Sequence, residues 1–238
     1  MVRLLVPRLK DLYSGLLHII YPNLCAGCDA DLPTSFSCFC FICQRRLQST
    51  DMHLLEVNEF TDRFWGRLPL HSGTAMYYFN RKSPIQNALH KLKYKNQPDI
   101  GLRIGRQMGS VLATSPLFDS VEAVIPVPLH LKKERSRGYN QSAMLASGIA
   151  DTLRVPVLSG VLVRQQFADS QTRKKRMERF DNVSEAFVLK KPERIQGKHI
   201  LLVDDVLTTG ATLETCGNAL LKAPDIKLSM ATIAIAMH

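Results

Sequence analysis

Apolar positions recur along this chain with two distinct periods, and their succession predicts strands alternating with helices. Residues 74–79 (TAMYYF) read as a strand. Ser83 and Pro84 then supply an N-cap and a first-turn residue, after which Ile85, Ala88, Leu89 and Leu92 share one helical face. A second helix is expected over 102–112 and a short apolar strand over 121–127 (VEAVIPV). The next helix, 140–153, would pack through Ala143, Leu145, Ala146 and Ile149, and 155–163 reads as another strand. Residues 200–203 (ILLV) form a buried strand, 212–221 its helix and 227–235 a final strand. This order implies βαβ units and a mostly parallel sheet flanked by helices.

Two stretches break the pattern. Residues 1–20 are amphipathic, with Leu5, Leu9, Leu12, Leu16 and Ile19 or Ile20 on one helical face. Arg3, Arg8, Lys10 and Asp11 interrupt any secretory or spanning run, so a packing helix is expected, with no membrane insertion and a cytoplasmic location. Residues 165–182 are polar, basic and without apolar periodicity. A formal charge of +10 and a pI near 9.5 favour anionic partners such as phosphates, nucleotides or nucleic acid.

Five of the six cysteines fall between Cys25 and Cys43. Cys25-Ala-Gly-Cys28 and Cys40-Phe-Ile-Cys43 are two CxxC pairs separated by eleven residues. Such a pair of knuckles supplies four thiolates to one structural Zn²⁺ and leaves no open coordination position for catalysis. Cys38 competes with Cys40 for the third place; the CxxC spacing favours Cys40. Cys216 shares a helical face with Leu213 and Leu220 and is expected to be a buried thiol.

The most informative segment is ILLVDDVLTTGAT, residues 200–212. Ligands of parallel sheets bind at the carboxyl ends of the strands, where Asp204 and Asp205 stand. The small-residue loop Thr208, Thr209, Gly210, Ala211 and Thr212 opens a helix, whose free N–H groups and positive dipole end suit a phosphate. Carboxylates beside a phosphate cradle suit sugar hydroxyls or the water shell of a divalent cation. Together they describe a sugar-phosphate site.

This segment resembles the phosphoribosyl pyrophosphate (PRPP) motif of type I phosphoribosyltransferases. The resemblance implies that Asp204 and Asp205 face the ribose 2- and 3-hydroxyls, that Val206 and Leu207 lead into the loop, and that 208–212 hold the 5-phosphate. Residues 124–146, VIPVPLHLKKERSRGYNQSAMLA, resemble the PVPLH…RGYNQ block of ComF-type proteins. There the family implies a pyrophosphate loop, here Val127, Pro128, Leu129 and His130, with Arg137 the favoured cation over Lys132, Lys133 and Arg135. Residues 171–187, QTRKKRMERFDNVSEAF, resemble the ComF pattern through Gln171, Arg179, Asn182, Val183 and Phe187. In related transferases a mobile loop from this region closes over PRPP, which implies a lid carrying Gln171, Arg179 and Asn182. The segment between Gln171 and Arg179 is more charged than the family pattern, with five Lys/Arg within 172–179.

The ComF resemblance spans nearly the whole chain and implies a type I phosphoribosyltransferase fold over 62–238, behind a helix and a four-cysteine zinc module over 1–61. It implies transfer of a phosphoribosyl group from PRPP, with Mg²⁺, to an acceptor the residues do not identify, and no residue stands out as its base. Family association points to competence and DNA utilisation, with a competence-machinery protein such as a helicase as partner. Two other readings stay open: a non-catalytic PRPP or nucleotide sensor, and a single-stranded DNA binder using the basic segment and Phe36, Phe39 and Phe41.

Overall fold

The computed structural model describes residues 23–32, 37–165 and 186–237, so the expected N-terminal helix lies outside the described residues. Among these, strands β1 (Ser72–Phe79), β2 (Ala123–Pro126), β5 (His199–Leu207) and β6 (Lys227–Ala236) form one sheet in the order β1-β6-β5-β2. Every pairing in it is parallel. The central strands are buried on both faces, and Ile200, Leu201, Leu202 and Val203 are fully buried. A near-continuous apolar run is what a parallel sheet covered on both faces requires. Truncating one such side chain, Leu201→Ala for example, would cost ~2–5 kcal/mol.

Helices α3 (Pro84–Tyr94), α4 (Pro98–Leu112) and α6 (Gln141–Leu153) cover one face. Helix α3 starts where the sequence places it, with Ser83 accepting from the Gln86 N–H and Ile85, Ala88, Leu89 and Leu92 buried. Helix α4 starts four residues before its expected boundary, because Pro98 fits the first turn while the apolar period begins only later. Leu145, Ala146 and Ile149 of α6 are buried as expected, and Ala143 is half-buried. The other face carries α7 (Ala211–Leu220) and the 52–68 segment, in which α2 (Glu59–Asp62) places Phe60 and leads to Phe64. Cys216 is fully buried there.

The expected strand over 155–163 is not one element. Val157 makes a single parallel bridge to Val124, and then Gly160, at φ +76°, turns the chain away. Beyond it β3 (Leu162–Arg164) pairs antiparallel with β4 (Phe187–Leu189). Ser159-Gly160 is a turn dipeptide, and the apolar residues on both sides of it made the segment read as one strand. Helix α5 (Leu131–Arg137) lies where a loop was expected; none of its residues is buried, so it leaves no apolar period to read. No helix among the described residues is long and apolar enough to cross a membrane.

Candidate functional site

Strand β5 continues through the acidic pair to Leu207, four residues beyond its expected end. Asp204 and Asp205 therefore lie within the strand, where the ladder to β6 fixes their backbone: Asp204 is opposite Thr232 and Val206 opposite Ala234. Both carboxylates find partners on the α3/α4/α6 layer. Asp204 Oδ1 accepts from Ser142 Oγ of α6 at 2.8 Å and from the Asp205 N–H at 2.9 Å. Asp205 Oδ2 pairs with Lys93 Nζ of α3 at 2.7 Å.

The two acids thus sit in different electrostatic surroundings. Burial, reinforced by the neighbouring Asp205 charge, raises the Asp204 carboxyl to about 7; the Ser142 and Asp205 hydrogen bonds and Lys93 pull the other way. Lys93 offsets the charge of Asp205 directly. This answers the repulsion that two adjacent acids would otherwise suffer.

The 208–212 loop turns at Gly210, whose φ of +83° is open to glycine at low cost. A Cβ there would also meet the Phe64 ring at 3.2 Å. Gly210 is the N-cap of α7 and no side chain caps that end. The first-turn N–H groups of a helix have no intrahelical acceptor, and Thr208, Thr209, Ala211 and Thr212 are exposed around them. Asp204 and residues 206–213 line a small hollow of about 40 Å³. Arg63 braces the loop from outside, donating to the Thr208 carbonyl and, at 2.6 Å, to the Ala236 carbonyl. Arg67 pairs with Glu214 on the first turn of α7.

On the other flank, the segment after β2 stays tied to the sheet: the Val127 N–H donates to Val203 O at 2.9 Å. Asn140, the N-cap of α6, donates to Val127 O at 2.9 Å. Pro128 and Leu129 continue this segment, and His130 caps α5 through Nδ1, which accepts from the Lys132 N–H. Arg137 ends α5, donates to Gln141 Oε1 at 2.8 Å and stacks 5.4 Å above the Tyr94 ring. Residues 127–130, Arg137, the acidic pair and the loop all gather at the carboxyl ends of β2 and β5. Gln171, Arg179 and Asn182 lie outside the described residues.

Lys93, Ser142, Arg63 and Arg67 were not singled out from sequence. Ser142 follows directly on the RGYNQ block, a signal available in advance. The other three come from distant segments and carry none.

Cys25, Cys28, Cys40 and Cys43 converge, with all four Sγ atoms within 4.8 Å of one another. Cys40 also caps α1 (Phe41–Arg46), and the Cys28 and Cys40 sulfurs are 3.6 Å apart. Burial acts to raise the Cys25 thiol, but the N–H groups of Cys40, Gly27 and Cys28 outweigh it and bring it down to about 7. Four sulfurs converging from two CxxC turns fit a tetrahedral Zn²⁺. Cys38 is not in the group: it is fully buried and its thiol is pushed up to about 12 by burial. None of the six cysteines is in a disulfide.

Residues 140–237 match the family model described as phosphoribosyl transferase domain. The chain is 27% identical over 212 residues to competence protein F of Haemophilus influenzae, covering 87% of this chain and 88% of that one. It is 26% identical to competence protein ComFC of Bacillus subtilis, covering 90% and 85%. DNA utilization protein YhgH of Salmonella typhimurium matches over 142 residues at 29% identity, 58% of this chain and 62% of that one. A solved glutamine PRPP amidotransferase from B. subtilis overlays 59% of this chain and 30% of its own, with 17% identity and a TM-score of 0.41.

Proposed function

We propose, for a chain that belongs to the ComF family and carries a phosphoribosyltransferase domain, that the site at the carboxyl ends of β2 and β5 binds PRPP and transfers its phosphoribosyl group. The observation that carries this is the uncapped start of α7 beside the acidic pair. Its free N–H groups hold the 5-phosphate, while Asp204 and Asp205 accept from the ribose hydroxyls. The 127–130 segment and Arg137 receive the pyrophosphate, and Gln171, Arg179 and Asn182 belong to a lid. Mg²⁺ carried on the pyrophosphate would neutralise the leaving group, and the acidic pair offers oxygens suited to its water shell.

In the reaction the acceptor's lone pair forms a bond to the anomeric carbon as the bond to pyrophosphate breaks. Pyrophosphate leaves with that electron pair, and the acceptor's proton passes to solvent. Positive charge develops on the ribose ring, next to the acidic pair. The 62–238 unit performs this chemistry, and the 1–61 unit with its zinc on four cysteines supplies structure. The names of the relatives connect this reading to competence and DNA utilisation; on the same reading the protein works in the cytoplasm, beside a protein partner of that machinery. Pyrophosphate release from Mg²⁺ and PRPP with candidate bases and amines tests catalysis. Saturable PRPP binding without turnover over a broad panel would reduce the site to a sensor.

One observation favours a second activity. Phe39 is buried beneath Tyr77, and Phe36 lies outside the described residues, but Phe41 and Ile42 are 75% and 71% exposed on α1 beside Arg45 and Arg46. An exposed ring among cations suits stacking on single-stranded nucleic acid. Phe41→Ala should weaken oligonucleotide binding, and binding should fall steeply with salt.

A further inference from the structure

Helix α3 touches both centres. From Pro84 through Lys91 it is seated on the cysteine knuckles: Asn87 Nδ2 donates to Gly27 O at 2.8 Å, and Lys91 Nζ reaches Cys25 O at 3.3 Å and Asp29 Oδ1 at 2.7 Å. The fit is close enough that a Cβ on Gly27 would meet both Cys43 Sγ and Pro84 Cβ at 2.8 Å. At its end the helix is fastened to the phosphoribosyl site. Lys93 pairs with Asp205, the Leu92 carbonyl accepts from Tyr139 Oη, and Tyr94 lies under Arg137.

The two sets of contacts adjoin rather than lie far apart. Lys91, on the knuckle, and Lys93, on the acidic pair, are two residues apart on a helix that rises about 1.5 Å per residue. A three-turn helix with buried Ile85, Ala88, Leu89 and Leu92 moves as a rigid body, so displacement at one set of contacts is felt at the other. The knuckle conformation in turn depends on what holds the four sulfurs together: the Cys25–Gly27 turn is bonded to Cys38 and Cys40 as well as to α3.

We propose that Lys93 is a positioning residue for the phosphoribosyl site and that the four-cysteine module sets its place through α3, so that ligand binding depends on the metal state of the module. The dependence on ligand rests on the proposed reading of the site; the mechanical link does not. Lys93 fixes the Asp205 carboxylate and offsets its charge, which lets a polyanionic ligand approach two adjacent acids. Loss of metal from the knuckles frees Asn87 and Lys91, and with them the register of Lys93.

The test has a ligand arm and a ligand-free arm. Binding of Mg²⁺-PRPP is measured by calorimetry for the wild type, Lys93→Met, Lys93→Arg and the double variant Asn87→Ala/Lys91→Met, each checked for bound zinc and cooperative unfolding. Lys93→Met should weaken binding at least about tenfold and Lys93→Arg should recover most of it. The double variant should weaken binding several-fold while keeping its zinc. In the second arm, amide exchange is compared for zinc-loaded and chelator-stripped wild type; stripping should increase exchange at 91–94 and 204–206 as well as in the knuckles. Exchange changes confined to 25–46, or unchanged binding in both Lys93→Met and the double variant, would overturn the proposal. A wild type that takes up no PRPP would count against the site reading alone, and the exchange arm would still judge the link.

Discussion

Ser142 Oγ lies 2.8 Å from Asp204 Oδ1, joining the first turn of α6 to the acidic end of β5. This bond holds a half-buried carboxylate in one orientation and favours its charged form, which hydroxyl-rich ligands need. Ser142→Ala removes it and leaves the acid with its backbone partner alone. The expected result is PRPP binding weakened about tenfold, ~1.4 kcal/mol, with the affinity loss shrinking at higher pH as Asp204 ionises. Calorimetric titration on both sides of neutrality checks this.

Asp204 also makes the site costly to the fold. Its folded-state value, raised from 3.8 to about 7, means that the native protein binds the proton more tightly than the unfolded chain does. Stability from this group is therefore fully present below its unfolded value and declines as pH rises through about 7. His199 works in the opposite sense: burial, helped by Lys227 and His71, lowers it to about 4, so its contribution is lost as pH falls from 6.5 toward that value. Comparing variants separates the two. Asp204→Asn keeps an acceptor for Ser142 and should be more stable than wild type at about pH 8, the gain shrinking toward about pH 5. Thermal unfolding across that range reads the difference, and the same variant should lose PRPP binding.

Gly210 carries the loop through φ +83° against Phe64. Gly210→Ala combines backbone strain with a tight ring contact and should cost ~1–2 kcal/mol of stability. Phosphate affinity should fall by a larger factor than in a stability-matched core variant, because the first-turn N–H groups of α7 are re-aimed. Chemical denaturation and PRPP titration together distinguish these effects.

The choice between Cys38 and Cys40 becomes a metal count. Cys38→Ala should keep a full complement of zinc, whereas Cys40→Ala should lose metal and unfold the knuckles. Elemental analysis of freshly purified protein gives the answer directly.

Much of this architecture was legible in the chain because its signals are local. Ser83-Pro84 marks the start of α3, the apolar run at 200–203 marks a buried strand, and the CxxC spacing selects Cys40 over Cys38. The 200–212 segment reads as strand, acids and loop in order. Its error was one of extent: the aspartates looked like a break in hydropathy, yet backbone pairing to Thr232 and Ala234 carries β5 past them. The turn at Gly160 was written in Ser159-Gly160 and was passed over because apolar residues flank it on both sides, whereas the exposed helix α5 buries no residue and leaves no apolar period to read. Lys93 was out of reach for another reason. Its partner Asp205 comes from a distant part of the chain, and only the packing of α3 onto α4 and β1 brings the two together.

The central claim is that the acidic pair and the 208–212 loop form one ribose 5-phosphate site. Calorimetric titration of zinc-loaded protein with PRPP in the presence of Mg²⁺, set beside the Asp204→Asn/Asp205→Asn variant, tests it most directly. Saturable one-site binding by the wild type and none by the folded variant is the predicted result. No saturable heat with the wild type, or equal affinity in the two proteins, would contradict it.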